Sequence, residues 1–328
     1  MRLFSLLTCI LCTFSLYSAV DWQTDYSKVL SQSQKEGKPL LLFFEGSDWS
    51  GTAMKMKHEV LDTPAFQQKV GNRFIFMEVD FPKYSSLNET LALQNANLKK
   101  RFQIEQFPAL LLLDKQERVI AQFGYSHENA EQLAENLLKI LGDDEELRAG
   151  LNNIAAASSS QLQQLYHVAQ DLGSVQEMEQ ILNAGLKLED PYFYLEKYRL
   201  LVENDAMQSE MALSLRRKLM AFGPEKVLVN GQSIPFTVAL IDFQEISQQN
   251  PESDLAATPL LEYLEAFSNQ EQSNRWQIEM MLAEIYLNSG KLEEALRHAE
   301  SGYASAPESK HEELAHSLDY IRSIQKMR

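Results

Sequence analysis

Side chains that could do redox chemistry are scarce in this sequence. Its two cysteines, Cys9 and Cys12, lie near the start of the chain in an apolar stretch, and positions 20–328 contain none. Disulfide exchange needs a thiolate and a second thiol that resolves the mixed disulfide. Once the apolar stretch is removed, the chain therefore has no side chain with which to run this reaction.

A serine is the next candidate nucleophile. Ser50 lies in a turn-like segment, 46–56, that precedes a helical pattern. A serine nucleophile requires an adjacent base, yet the nearest histidine along the chain, His58, is about two helical turns further on. Serine is also a preferred helix N-cap residue. We therefore expect Ser50 to cap the following helix, and we do not expect hydrolysis.

Two histidines near the end of the chain suggest a metal site at first sight. His311 and His316 flank a Glu-Glu pair, but they are five positions apart instead of four. On a helix this spacing places the two rings about 140° apart, so they cannot hold one ion as an i, i+4 pair does. We predict a solvated helix here, and we expect neither a metal nor a cofactor.

The first residues have the pattern of an export signal. Met1-Arg2 precedes a largely apolar run that ends in the small residues Ser18 and Ala19. A basic start, an apolar centre and a small-residue exit are typical of a secretory signal peptide, which we assign to residues 1–19. The alternative is an uncleaved anchor, although about 15 apolar residues are short for a bilayer. The prediction is an exported protein, periplasmic or extracellular, with no stable membrane span after signal removal.

Length and charge limit the remaining possibilities. A chain of 328 residues with 45% hydrophobic content can form about two domains with real cores. The formal net charge is −16, and no block of lysine or arginine is large enough to form a cationic surface. Nucleic-acid binding requires a cationic surface, so we exclude nucleic acid as a partner.

Residues 20–142 alternate between strand and helix patterns. A continuous apolar run at 40–44 predicts a strand buried on both faces, and the segment 74–80 predicts a second buried strand. Two further strands are predicted within 104–113 and at 118–123, joined by a polar hairpin turn at 114–117. Helices are predicted from the turn at 46–56 to about Val70, over 87–102, and over 129–141.

This order of elements resembles an exported thioredoxin-like family. The matching residues are Lys38-Pro39, Gly46-Ser47-Asp48-Trp49, Glu59-Val60, Pro64 with Phe66, Val79-Asp80-Phe81-Pro82, and Phe107-Pro108. They occur in the family's order and extend over most of 21–142, which predicts an α/β thioredoxin-like domain at residues 20–142. In the family, two cysteines stand where this chain has Ser50 and Ala53, and many redox-active members carry a buried acid where this chain has Phe44.

The resemblance also implies a peptide-binding groove. In such proteins a cis proline faces the active-site turn, and the loop exposes backbone groups that pair with an extended peptide. We accordingly predict a cis bond before Pro108, the alternative being an ordinary trans proline that starts a strand. The groove residues implied are Trp49, Gly51, Thr52, Phe107 and Pro108. Glu45, adjacent to Phe44, is expected on the opposite face of its strand from the proton-relay position.

Residues 143–328 show mainly helical patterns. The segment 283–299, followed by Gly302 and Pro307, resembles a tetratricopeptide-like helical hairpin, with small residues at the helix contact and Gly290 in the turn. A weaker repeat begins at Ala169. We predict a domain boundary after Gly142 and an all-α domain beyond it. This domain either binds a partner or simply packs against the first domain, and the sequence favours neither.

Three functions remain open at this point. The first is a redox-inactive exported thioredoxin-like protein that binds unfolded or envelope polypeptides, as a chaperone or assembly factor. The second is a thiol–disulfide oxidoreductase or isomerase, which the family resemblance alone implies. The third is a structural scaffold whose groove is unused. The missing sulfur favours the first and third over an enzyme.

Overall fold

The computed structural model of the chain describes residues 20–226, 231–250, 254–268 and 274–327. The predicted signal peptide at 1–19 lies outside these residues. Among the helices described, none is both long enough and apolar enough to cross a membrane.

The chain divides into two compact units. One extends to Ile154 and also includes Gln164–Glu177, whereas the other comprises Ala155–Gln163 and everything from Met178 onwards. The thioredoxin-like and helical regions confirm the fold class that the sequence predicts. The boundary after Gly142 stays a prediction.

The first unit combines a four-stranded sheet with helices. Its elements are α1 (Tyr26–Glu36), β1 (Leu40–Glu45), α2 (Gly51–Met56), α3 (Pro64–Val70), β2 (Ile75–Asp80), α4 (Glu89–Arg101), β3 (Ala109–Leu113), β4 (Val119–Phe123) and α5 (Ala130–Asn152).

The strand order across the sheet is β2-β1-β3-β4. β1 pairs in parallel with β2, with Leu40 opposite Ile75, and antiparallel with β3, with Leu40 opposite Leu113. β3 and β4 form the antiparallel hairpin expected from the polar turn. All four predicted strands are present, because each central strand is an apolar run that both of its faces can bury.

The two faces of β1 belong to two separate cores. Leu41 and Phe43 pack in one core with residues of α2, α3 and α5. Leu42 and Phe44 pack in the other with residues of α1 and α4. This alternation places α2, which begins directly after the turn, on the same side of the sheet as Phe43.

Two helical features differ from the sequence prediction. Helix α1 was not predicted, although Asp25 caps its start and Gly37 ends it in a left-handed conformation. The helix predicted to run to Val70 is interrupted, because a short π-helical segment, Lys57–Leu61, follows α2. The Thr63 side chain then caps α3, and Pro64 occupies its first turn; together they start a new helix.

Helix α5 crosses the predicted domain boundary without a break. It runs from Ala130 to Asn152. The predictions that a helix ends at Leu141 and that a new one starts at Asp143 are therefore wrong. A single helical glycine costs only about 1 kcal/mol relative to alanine, and Gly142 is therefore not enough to end a helix that packs along its length.

The second unit continues in helices. With the two that lead into it, these are α6 (Ser159–Asp171), α7 (Val175–Gly185), α8 (Pro191–Glu203), α9 (Glu210–Met220), α10 (Ile234–Gln249), α11 (Ala257–Ala266), α12 (Arg275–Asn288), α13 (Leu292–Ser305) and α14 (His311–Met327).

The predicted helical hairpin near the end of the chain is formed by α12 and α13. Gly290 makes the turn with a φ of 76°, a conformation that glycine adopts without steric cost. Ala283, Ala295 and Ala299 are buried where the helices meet. A Cβ added at Gly302 would lie 2.9 Å from the Met280 sulfur, so the close approach depends on small residues.

Candidate functional site

The turn before α2 carries no sulfur and no free nucleophile. Ser50 is buried, and its Oγ accepts a hydrogen bond from the Ala53 backbone N–H at 3.4 Å. The Ala53 side chain is fully buried, whereas Gly51 and Thr52 are exposed at the start of the helix. Ser50 is thus the predicted N-cap of α2, and its hydroxyl satisfies a backbone donor that the helix leaves unpaired.

Two aspartates hold this turn against the loop after β2. The Asp48 carboxylate accepts backbone N–H bonds from Lys83, Tyr84 and Ser85 at 2.8, 2.8 and 2.9 Å. Partial desolvation raises the pKa of Asp48, but these three donors outweigh it and leave the pKa below its usual value. Asp80 accepts hydrogen bonds from both the backbone N–H and the hydroxyl of Ser47, at 2.9 and 2.6 Å.

Three aromatic side chains, Trp49, Phe81 and Phe107, meet beside the turn and form what we call the aromatic cluster. The Trp49 and Phe107 rings meet edge to face with centroids 5.9 Å apart, and Phe81 stacks on Phe107 at 5.0 Å. The Trp49 indole N–H donates to the Phe81 carbonyl oxygen at 2.7 Å. The cluster therefore joins the turn, the β2 loop and the proline loop.

The proline loop has the predicted cis bond, between Phe107 and Pro108. Phe107 is half-buried, whereas Pro108 is buried. In the part of the chain that the structure describes, neither the N–H nor the C=O of Phe107 pairs with another backbone group. Phe107 thus offers a backbone donor and a backbone acceptor next to half-buried aromatic side chains.

Two lysines border the aromatic cluster. The Lys83 ammonium lies 3.7 Å from the centroid of the Trp49 ring. The Lys99 ammonium lies 5.2 Å from the Phe107 ring and 5.8 Å from the Phe81 ring. Both arrangements fall within the range of cation–π attraction. Sequence reasoning missed both lysines, because contacts between loops and helix ends leave no periodic signal.

A group of ionisable side chains, one buried and two half-buried, lies on the α2 side of the sheet. Glu45 faces away from the side of Phe44, as predicted, but the face it occupies also carries Lys57. The Lys57 Nζ lies 3.9 Å from the Glu45 carboxylate and 2.5 Å from that of Glu78. It also lies 4.4 Å from the centre of the Trp22 ring. We call Glu45, Lys57 and Glu78 the charge cluster.

The pKa of Glu45 is strongly displaced by this environment. Burial and the neighbouring Glu78 carboxylate raise the pKa of Glu45 to about 8, and the opposing effect of Lys57 is smaller. The Glu45 side chain is 4% exposed. Such a group is protonated over much of the neutral range and can donate a hydrogen bond as well as accept one. In the sequence, the charge cluster is indicated only by the glutamates at positions 45 and 78, which lie within largely apolar strands.

The remaining sequence candidates stay apart. His58 is exposed and lies 3.7 Å from Asp62, not beside Ser50. His311 bonds to the Ala306 carbonyl oxygen and stacks on Tyr303, whereas His316 is exposed. Within the described ranges, no group of three or more histidine or carboxylate side chains could hold a metal ion.

A parallel β1–β2 pair continued by an antiparallel hairpin, with a proline loop beside the N-terminus of α2, defines a thioredoxin-like domain. A family model described as a thioredoxin-like domain matches residues 26–140. Over 310 residues the chain is 34% identical to "Thioredoxin-related protein DsbJ" of Chlamydia pneumoniae, which covers 93% of this chain and 88% of that protein. The chain belongs to this thioredoxin-related family.

Two further matches cover a smaller part of the chain. The chain is 31% identical over 106 residues to "Disulfide bond reductase DsbH" of Chlamydia pneumoniae, covering 32% of this chain and 63% of that protein. A solved structure named "DsbH Oxidoreductase" matches with 27% identity and a TM-score of 0.37, covering 38% of this chain and 86% of that chain. Both of these relatives are named for disulfide or redox chemistry.

Proposed function

We propose that this chain is a redox-inactive, exported thioredoxin-like protein that binds unfolded or envelope polypeptides as a chaperone or assembly factor. The observation that carries the proposal is the unpaired Phe107 backbone beside the aromatic cluster. An extended peptide gains main-chain hydrogen bonds from such an edge, and aromatic surface adds contact area for its side chains. Gly51, Thr52 and Pro108 complete the proposed groove.

The chemistry of the turn supports binding without electron transfer. A serine hydroxyl is not ionised near neutral pH and forms no disulfide, and a buried alanine has no reactive atom. The Ser50 oxygen is already engaged as a helix cap. What remains at the turn is a rigid, hydrogen-bonded surface held by Asp48 and Asp80.

Peptide binding tests the proposal directly. A labelled extended peptide should bind the protein lacking residues 1–19, with binding followed by fluorescence anisotropy. Trp49→Gln and Phe107→Ser should each weaken binding about tenfold or more, as expected for aromatic anchor residues. Leu93→Ser is the matched control, because Leu93 is 65% exposed on α4 of the same unit and is not part of the aromatic cluster.

The outcome separates a binding protein from a scaffold. Near-ultraviolet circular dichroism should show that each variant remains folded. If folded variants of Trp49 and Phe107 bind as wild type does, the groove is unused and the scaffold hypothesis takes its place. Failure to slow the aggregation of unfolded clients would count against the chaperone role specifically.

The second candidate function is thiol–disulfide exchange, favoured by the name of the relative "Disulfide bond reductase DsbH". An insulin-reduction assay on the protein without residues 1–19 decides between the two. We expect no turnover above background, since positions 20–328 contain no cysteine. Turnover that persists after removal of contaminating oxidoreductases would refute the argument from sulfur.

Export is part of the proposal and has its own test. The pattern at residues 1–19 supports a periplasmic or extracellular location. Amino-terminal sequencing of the protein purified from its own cells should find a start near position 20. An intact start at Met1 in the cytoplasmic fraction would refute this assignment.

A further inference from the structure

The proposed groove is bordered by two positively charged side chains, although the chain as a whole is acidic. Lys83 and Lys99 border the aromatic cluster of a protein whose formal net charge is −16. We propose that these two lysines make the groove selective for acidic polypeptide segments, recognised through their aspartate and glutamate side chains. This inference rests on the proposed function and specifies its class of client.

Lys83 is positioned by the turn itself. The loop that carries it is fixed by the three backbone hydrogen bonds to Asp48, one of which comes from Lys83. Its ammonium is thereby placed over the Trp49 ring at 3.7 Å. The Asp48 carboxylate is committed to those backbone donors. It keeps Lys83 in place by binding its main chain, not its side chain.

Lys99 is positioned by the C-terminal turn of α4. Three consecutive basic residues occupy this turn, Lys99, Lys100 and Arg101, where positive charge is favourable next to the helix dipole. Arg101 pairs with Glu117 at 2.7 Å, and Lys100 is exposed. Lys99 differs from both, because it is half-buried and its ammonium faces the Phe81 and Phe107 rings.

Neither ammonium is neutralised by a side chain of the described ranges, since no carboxylate lies within ion-pair distance of Lys83 or Lys99. Several other lysines of the same unit are paired, among them Lys55 with Glu59, Lys57 with Glu78, and Lys69 with Glu135. The two lysines that border the groove therefore retain their capacity to bind an external anion.

The position of the lysines on the ring faces decides which ligand fits. An apolar ligand side chain that stacks on the part of the Trp49 or Phe107 ring covered by a lysine must displace the ammonium, and the cation–π contact is then lost. A carboxylate instead binds the ammonium where it lies and adds a charge-assisted hydrogen bond. The rings then hold the lysines in place, while the free backbone of Phe107 pairs with the main chain of the ligand.

The overall negative charge does not prevent this recognition at ordinary ionic strength. At about 0.15 M salt the Debye length is about 8 Å, so most of the acidic surface is screened from a ligand in the groove. Contacts with Lys83 and Lys99 are shorter than this distance. Selectivity for acidic segments should therefore be measurable at physiological salt and should weaken as salt is raised.

The test compares three labelled twelve-residue peptides with one apolar centre, flanked on both sides by glutamate, glutamine or lysine. Acetylated and amidated ends remove the terminal charges, so that a chain terminus cannot mimic the side chains. In 0.15 M salt, each contact between a glutamate and a lysine should strengthen binding about two- to fivefold. Two such contacts should make the glutamate-flanked peptide bind about tenfold more tightly than the glutamine-flanked one. The lysine-flanked peptide should bind most weakly.

Substitutions locate the source of the preference. Lys83→Gln with Lys99→Gln should abolish the difference between glutamate- and glutamine-flanked peptides. The matched control, Lys100→Gln with Lys115→Gln, removes the same charge from exposed positions and should keep the preference. Raising the salt to 0.5 M should weaken only the glutamate-flanked complex.

The two proposals fail in different ways. Equal binding of glutamate- and glutamine-flanked peptides, or a preference that survives in Lys83→Gln/Lys99→Gln, overturns acidic selectivity and leaves peptide binding intact. A preference for the lysine-flanked peptide overturns it as well. If the folded protein binds none of the three peptides, the proposed function itself fails, and the selectivity fails with it.

Discussion

Replacing Glu45 with glutamine should change how the stability of the first unit depends on pH. Burial and the Glu78 carboxylate raise the pKa of Glu45 to about 8 in the folded protein, against about 4.3 in an unfolded chain. Between these two values the unfolded state has released its proton and the folded state retains it. The contribution of Glu45 to the free energy of unfolding is therefore fully present below its pKa in the unfolded chain. It is lost as the pH rises towards its pKa in the folded protein.

The size of the effect follows from the same pKa values. One proton held by the folded state and not by the unfolded state changes the free energy of unfolding by at most about 1.4 kcal/mol per pH unit. From pH 5.5 to 7.5, Glu45 should therefore remove about 1–3 kcal/mol of stability from the wild type. Glutamine cannot ionise, and Lys57 keeps its partner Glu78 at 2.5 Å.

Urea unfolding at several pH values measures this difference. The stability of Glu45→Gln relative to wild type should increase steadily across that interval, because histidines and other titrating groups contribute equally to both proteins. Glu59→Gln is the matched control, since the Glu59 side chain is 64% exposed. Its free energy of unfolding should change with pH as that of the wild type does. If the free energy of unfolding of Glu45→Gln also follows the wild type across this pH range, the reasoning about the charge cluster is refuted.

Three further substitutions test other parts of the structure. Asp48→Ala should speed amide hydrogen exchange at Lys83, Tyr84 and Ser85, which lose their acceptor, and unchanged exchange would show that the loop is held by other contacts. Gly142→Ala should stabilise the protein by about 0.5–1 kcal/mol in urea unfolding, because a Cβ there meets nothing within 4 Å; a loss of stability would argue against a continuous α5. Gly185→Ala should destabilise by about 1–3 kcal/mol in the same assay, because its Cβ would lie 2.3 Å from the Phe193 ring, and a neutral result would contradict that close packing.

Much of the first unit could be predicted from its sequence, for a physical reason. A strand such as β1, buried on both faces, is apolar over residues 40–44, and this pattern is visible without a structure. The role of Ser50 as a helix cap was predicted as well, from the preference of serine for that position. The cis bond before Pro108 was predicted from the family resemblance. The strand and the helix cap depend on residues close together in the chain.

The parts that sequence reasoning missed depend on residues far apart in the chain. Lys57 contacts Glu78 across two elements, and Lys99 reaches Phe81 and Phe107 from a helix end. Each of these lysines looks like an ordinary surface residue in a linear sequence. The uninterrupted course of α5 through Gly142 was missed for a related reason, because packing along a helix can outweigh a single unfavourable local propensity.

The capped, sulfur-free turn has a kinetic consequence for any client. Ser50 is occupied as the N-cap of α2 and Ala53 is a buried methyl group, so no covalent intermediate can tether a polypeptide to the turn. The lifetime of a complex is then set by its dissociation rate alone, and most tuning of affinity acts on that rate. Clients would be released by dilution or competition, without an electron donor to free them.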